Sequence, residues 1–169
     1  MNKTALLYSL VLSSAIFSST TSATEAKKDR QEIERGRYLA VASGCHDCHT
    51  PGYGETAGNV PRGQWLTGSI VGFKGPWGTT YPVNLRLYVQ QKSEKDWLAR
   101  VRQPMRPPMP WFNLRDMNDA DLVAIYRFVR ALGPVGDAAP VAVAPGQPVT
   151  TPYIDFEPKN LPKQSQAKQ

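Results

Sequence analysis

Both cysteines and both histidines of this chain fall in five consecutive positions, Cys45-His46-Asp47-Cys48-His49. Three chemistries use thiols and imidazoles at such spacing. A thiol–disulfide site places C-x-x-C at the start of a helix that follows a strand in a βαβ unit. A structural zinc site takes four ligands, usually as two pairs well apart in sequence. Covalent haem attachment uses C-x-x-C-H. Two thiols three residues apart form thioethers with the two vinyl groups of one porphyrin edge, and the adjacent imidazole lies under the iron. The segment before Cys45 carries a helical rather than a strand pattern, which counts against the first chemistry. No Cys or His is left elsewhere to complete a zinc site. The reading is one haem c, attached through Cys45 and Cys48, with His49 as the proximal iron ligand.

The histidine count then constrains the opposite face of the iron. His46 sits three residues from His49 and cannot reach that face, so bis-histidine ligation is excluded. Outside the N-terminal stretch the methionines are Met105, Met109 and Met117. Met117 directly precedes a helix cap and is expected to pack. Met105 and Met109 lie in the proline-rich QPMRPPMPWF, residues 103–112, where either can ligate or fill a core gap. Met109, clamped by Pro108 and Pro110, loses less entropy on ordering and is the favoured candidate. Met/His ligation raises the potential of the iron and fills both axial positions, which favours electron transfer over catalysis. The rival is an open iron with peroxidase-like or ligand-binding chemistry, for which no second histidine or acid–base pair is at hand.

Positioning these groups requires helices and a loop. From about Arg30, Ile33, Gly36, Leu39 and Ala40 recur at helical spacing, and Gly44 ends the pattern before Cys45. Residues 24–29 are polar and expected to fray. Residues 50–92 are rich in Gly, Pro, Thr and aromatics, with turn signals at Pro51-Gly52, Pro61-Arg62-Gly63 and Gly75-Pro76, and read as a long structured loop. A second helix is expected from Ser93, capped with Asp96 and carrying Trp97, Leu98 and Val101, and stopping before Pro104. Residues 103–112 are expected to be extended. A third helix starts from Asn118 as N-cap, presents Leu122, Ile125, Tyr126 and Val129, and closes at Gly133-Pro134. The tail, 135–169, is proline-rich. It is read as a loose extension, as a segment that wraps back through Tyr153, Ile154 and Phe156, or as a strap for a partner.

At the N-terminus, Lys3, the apolar run Ala5 to Phe17 and Thr21-Ser22-Ala23 have the layout of a secretory signal peptide, residues 1–23, cleaved near Ala23. The apolar run is shorter than the ~20 residues a bilayer span needs, and the mature chain carries no transmembrane segment. The expected location is the periplasm. Domain bounds follow as 27–134 for the haem domain and 135–169 for the tail. The formal charge is +6, which fits either an acidic partner surface or a plain solvated one. The basic residues are scattered without interleaved aromatics, which excludes a nucleic-acid groove.

Two stretches, GRYLAVASGCHDCH at 36–49 and RPPMPWFNLRDMNDADLVAIYRFVRALGP at 106–134, resemble the monohaem class I c-type cytochromes of the bacterial periplasm. The resemblance extends over about residues 30–134 and includes haem domains of cytochrome subunits in periplasmic dehydrogenases. It implies an all-α cytochrome c fold, with three main helices around one covalently bound haem, a long loop and here an added Pro-rich tail. It implies Met109 as the distal ligand, and a crossing of the first and last helices at Gly36 and Tyr126. The segment GPWGTTYPVNLR, 75–86, departs from the family's Asn-Ile-Thr-Pro-like stretch, with Asn84-Leu85 as its remnant. Trp77, Tyr81, Asn84 and Arg86 are candidate donors to the haem propionates, or else ordinary packing residues. The implied function is a periplasmic electron carrier working between redox partner proteins, or the cytochrome subunit of a larger dehydrogenase or oxidase.

Overall fold

A computed structural model describes residues 5–160, with side chains from Ala23 onward. The expected leader before Ala23 and the polar end 162–169 lie outside the described side chains. Helix α1 (Ala5–Ala42) has no Pro, and no Gly before Gly36. It therefore continues through residues 24–29 rather than fraying there, because Glu, Ala and Lys in that stretch are strong helix formers. It ends where Ser43 N–H bonds Leu39 O at 2.8 Å and Gly44 takes φ +70°. A side chain resists that left-handed conformation, and it reverses the chain directly into the short helix α2 (Cys45–His49).

The long stretch 50–92 is more regular than its composition announces. It contains a 3₁₀ turn at Arg62–Gln64, a hairpin of β1 (Gly72–Gly75) and β2 (Gly78–Thr80), and helix α3 (Leu85–Gln90). Helix α4 (Glu94–Val101) begins as expected, with Ser93 and Asp96 forming a reciprocal capping box. Residues 103–110 contain neither helix nor strand, but they bend at Gln103 and turn at Pro107-Pro108 instead of running extended, and helix α5 (Trp111–Asp116) starts immediately after Pro110. Proline is tolerated at a helix entrance, where its missing N–H leaves no bond unmade, so the non-helical stretch ends two residues sooner than expected. Helix α6 (Asp119–Ala131) starts from Asn118, whose Oδ1 accepts from Asp121 N–H at 2.8 Å.

Helices α1 and α6 make the most extensive packing in the domain. A Cβ added at Gly36 would lie 1.9 Å from Ala124 O and 2.8 Å from Phe128 Cβ, so only glycine lets the two backbones approach this closely. The atoms nearest Gly36 thus belong to Ala124 and Phe128 rather than to Tyr126. Tyr126 turns the other way, with its ring 6.2 Å from that of Trp97 and its hydroxyl donating to Lys92 O at 2.8 Å. Ala40, Leu66, Val89, Leu122, Phe128 and Val129 are fully buried and form the centre of the core. Trp97 closes its α4 side and donates Nε1–H to Leu122 O at 3.0 Å.

The tail folds back over its own domain. Strand β3 (Tyr153–Asp155) pairs parallel to β1, giving the order β2-β1-β3. Phe156 sets its ring edge-on to Phe73 at 5.3 Å. Of the readings open for the tail, the wrapped-back one describes residues 134–157. The result is a helical domain with a small sheet on its loop side.

Candidate haem site

Helix α2 is little more than one turn, so Cys45, Cys48 and His49, at i, i+3 and i+4, share one face. Both thiols are free. Burial pushes Cys45 up to about 11 and raises Cys48 as well, so both are neutral thiols at physiological pH. His49 is buried, and its Nδ1 lies 2.8 Å from Val83 O. A carbonyl only accepts, so the proton sits on Nδ1 and the lone pair on Nε2 is free to bind a metal. Burial also holds the His49 pKa below its ordinary value, which keeps the ring neutral. Such an outer partner fixes both the tautomer and the ring orientation of a ligating histidine.

His46 faces away from this group. It is 1% exposed, with Nδ1 2.9 Å from Thr50 Oγ1. Its ring stacks on Tyr53 at 4.9 Å and meets the edge of Trp65 at 5.1 Å. Thr50 Oγ1 also accepts from Leu66 N–H at 2.8 Å, so His46 anchors α2 to the following loop.

Val83 is held in turn by two strands of loop. Ser69 N–H bonds Pro82 O at 3.1 Å, Leu85 N–H bonds Leu66 O at 3.0 Å, and Gly68 N–H bonds His49 O at 2.8 Å. Gly68 has φ +79°, and a Cβ there would lie 2.7 Å from Asn84 N and Pro82 O.

The four candidate propionate donors differ in what they have to spare. Asn84 Oδ1 accepts from Leu87 N–H at 3.1 Å as the cap of α3, and its Nδ2 donates to Val135 O at 2.8 Å and Asp137 O at 3.1 Å. Arg86 donates Nε–H to Gly133 O at 2.6 Å, one terminal N–H to Gly63 O at 2.8 Å and another to Leu132 O. Tyr81 OH pairs with Thr151 Oγ1 at 2.7 Å. Trp77 Nε1 is buried with no hydrogen-bond partner among the described residues. An indole N–H in that state is a donor in want of an acceptor.

Met105 and Met109 both pack, partly buried, against the core. Trp111 N–H bonds Met109 O at 2.8 Å, and Thr80 Oγ1–H donates to Pro107 O at 2.7 Å. The residues of α2 fit one haem attached by two thioethers: two neutral thiols on one helix face and a neutral imidazole with Nε2 free. Val83, Thr80 and Thr50 are not singled out by the sequence. Val83 acts through its carbonyl, which no residue type announces.

The family model for Cytochrome c matches residues 33–133. The chain is 27% identical over 119 residues to one chain of the nicotinate dehydrogenase of Pseudomonas putida, covering 64% of this chain and 9% of that protein. It is 28% identical over 120 residues to the fructose dehydrogenase cytochrome subunit of Gluconobacter japonicus, covering 64% of this chain and 23% of that protein. The chain thus spans about a tenth and about a quarter of the lengths of these two relatives. No solved structure matches it at a significant level. Helices at both ends of the matched region, C-x-x-C-H on α2 and a free imidazole nitrogen beside it agree with that family match, and the chain belongs to the cytochrome c family.

Proposed function

We propose that the chain is an exported one-electron carrier with a single haem c, attached through Cys45 and Cys48 and held between His49 and Met109. The observation that carries this reading is the His49 Nδ1–Val83 O hydrogen bond, which presets a neutral imidazole with Nε2 as its ligand atom. When bound, the haem supplies a ferric–ferrous couple. The chain contributes the rest. Val83 O fixes the ring of His49, burial keeps that ring neutral, and the core packs against Cys45. His49 and Met109 would hold the iron, and a haem held in this way would supply one-electron chemistry rather than an open site for a substrate. Trp77 is the propionate donor among the four candidates, since its N–H is the buried one without a protein partner. The leader is residues 1–23, the haem domain 27–134 and the tail 135–169, with the mature protein in the periplasm.

The test is a potentiometric titration of protein matured in a periplasm with haem-attachment machinery. One haem per chain, a one-electron Nernst slope and ferrous spectra unmoved by carbon monoxide are expected. A ferrous form that binds carbon monoxide readily would replace the carrier with the peroxidase-like or ligand-binding reading.

The second reading keeps the chemistry and changes the partner. Both relatives carry the names of dehydrogenase subunits. A cytochrome subunit of this kind would leave the native periplasm bound to a larger dehydrogenase chain, whereas a free carrier elutes at the size of one domain.

A further inference from the structure

The tail and the hairpin are tied to the supports of both proposed iron ligands. On the His49 side, Asn84 follows Val83 and donates to Val135 O and Asp137 O of the tail. On the other side, Thr79 and Val143 exchange both main-chain hydrogen bonds, each 2.9 Å. The tail is fastened again where Gly72 N–H bonds Pro152 O at 2.8 Å and Phe156 N–H bonds Lys74 O at 2.7 Å. It lies tight against the hairpin, since a Cβ at Gly78 would come within 2.2 Å of Val143 O. Thr80, next to Thr79, sends its hydroxyl to Pro107 O, two residues before Met109.

The segment 104–110 has few ways to hold itself. Four of its seven residues are proline and offer no N–H. Among the described residues, Thr80 Oγ1–H to Pro107 O is the hydrogen bond that joins 104–110 to a distant part of the chain; the others run from Trp111 N–H to Met109 O and from Asn113 N–H to Pro110 O within the same turn. A thioether is a weak, neutral donor. It outcompetes a better ligand in solution only through the high effective concentration that a rigid segment confers.

We infer that Thr80 is a positioning residue for Met109, and that residues 134–157 are the brace that keeps Thr80 in place. This rests on the proposed ligation by Met109. The test is an imidazole titration of the ferric, fully matured protein, followed by loss of the weak red-edge sulfur-to-iron band, with thermal midpoints measured alongside. Thr80→Val keeps the shape and removes the hydroxyl, and it should bind imidazole about fivefold more tightly, the worth of one net hydrogen bond. Thr80→Ser restores the donor and should stay within about twofold of the unaltered protein. Val143→Pro removes the N–H that bonds Thr79 O and should tighten imidazole binding in the same direction as Thr80→Val. Imidazole affinity unchanged in Thr80→Val, or a fall in thermal midpoint with no change in affinity, overturns the positioning role. Affinity unchanged in Val143→Pro overturns the brace. A red-edge band that survives in Met109→Ala refutes the ligand assignment itself, which separates that failure from the other two.

Discussion

Gly36→Ala tests the helix crossing that builds the domain, because two effects on it have opposite signs. In an exposed helix interior the change would add about 1 kcal/mol of stability, through lower chain entropy and better helix propensity. At Gly36 the new Cβ lies 1.9 Å from Ala124 O, where real Cβ contacts are essentially never under 3.0 Å. Relief requires α1 and α6 to separate by more than an ångström, because the obstacle is main chain and cannot rotate away. Overpacking of a core costs about 1–3 kcal/mol, and a backbone obstacle puts this site at the upper end. Subtracting the propensity gain leaves a net loss of about 2 kcal/mol, roughly a thirtyfold drop in the folding constant. Urea unfolding of the haem-loaded protein, followed by far-ultraviolet circular dichroism, measures it, and the thermal midpoint should fall by about 6–10 °C. A neutral or stabilising Gly36→Ala would mean that the helices do not cross at this contact.

Three further outcomes follow from named groups. Burial holds the pKa of His46 below its usual 6.5, so the unfolded chain takes up its proton first as pH falls. Stability contributed by the neutral ring is complete above about pH 6.5 and is lost below it at up to ~1.4 kcal/mol per pH unit. With His49 bound to iron, His46 is the one histidine free to titrate, and His46→Asn should flatten the urea-midpoint profile between pH 7 and 5. Arg86→Met strands the carbonyls of Gly63, Leu132 and Gly133 and should cost about 3 kcal/mol in urea unfolding while leaving the reduction potential close to its original value. If Trp77 donates to a haem propionate, as proposed, Trp77→Phe should do the reverse: stability changes by less than ~1 kcal/mol, and the potential falls by up to roughly 40 mV, read by redox titration.

What could be read from the sequence was local. Ser93 with Asp96 and Asn118 marked the starts of α4 and α6, because a cap is a side chain bonding main chain two or three residues on. Gly44 marked the turn into α2, where Cys45, Cys48 and His49 share one face. The sheet was not legible. Its strands are three or four residues long, GFKG and GTT carry no usable alternation, and β3 arrives from some eighty residues further along the chain. The partners of Arg86 and His49 were hidden for a related reason. Gly133, Leu132, Gly63 and Val83 act as carbonyls, and every residue has one. The family resemblance located the crossing glycine correctly but named Tyr126 opposite it, where helical phase brings Ala124 and Phe128 instead.

The most direct test of the account is the red-edge absorption of the ferric protein in two variants, Met109→Ala and Met105→Ala, each matured with one covalent haem. Ligation of the iron by His49 and Met109 predicts that the band is lost in Met109→Ala, whose ferrous form then binds carbon monoxide, and is kept in Met105→Ala. The reverse pattern would move the ligand to Met105, and a matured protein that lacks the band and binds carbon monoxide without any substitution would contradict the electron-carrier reading.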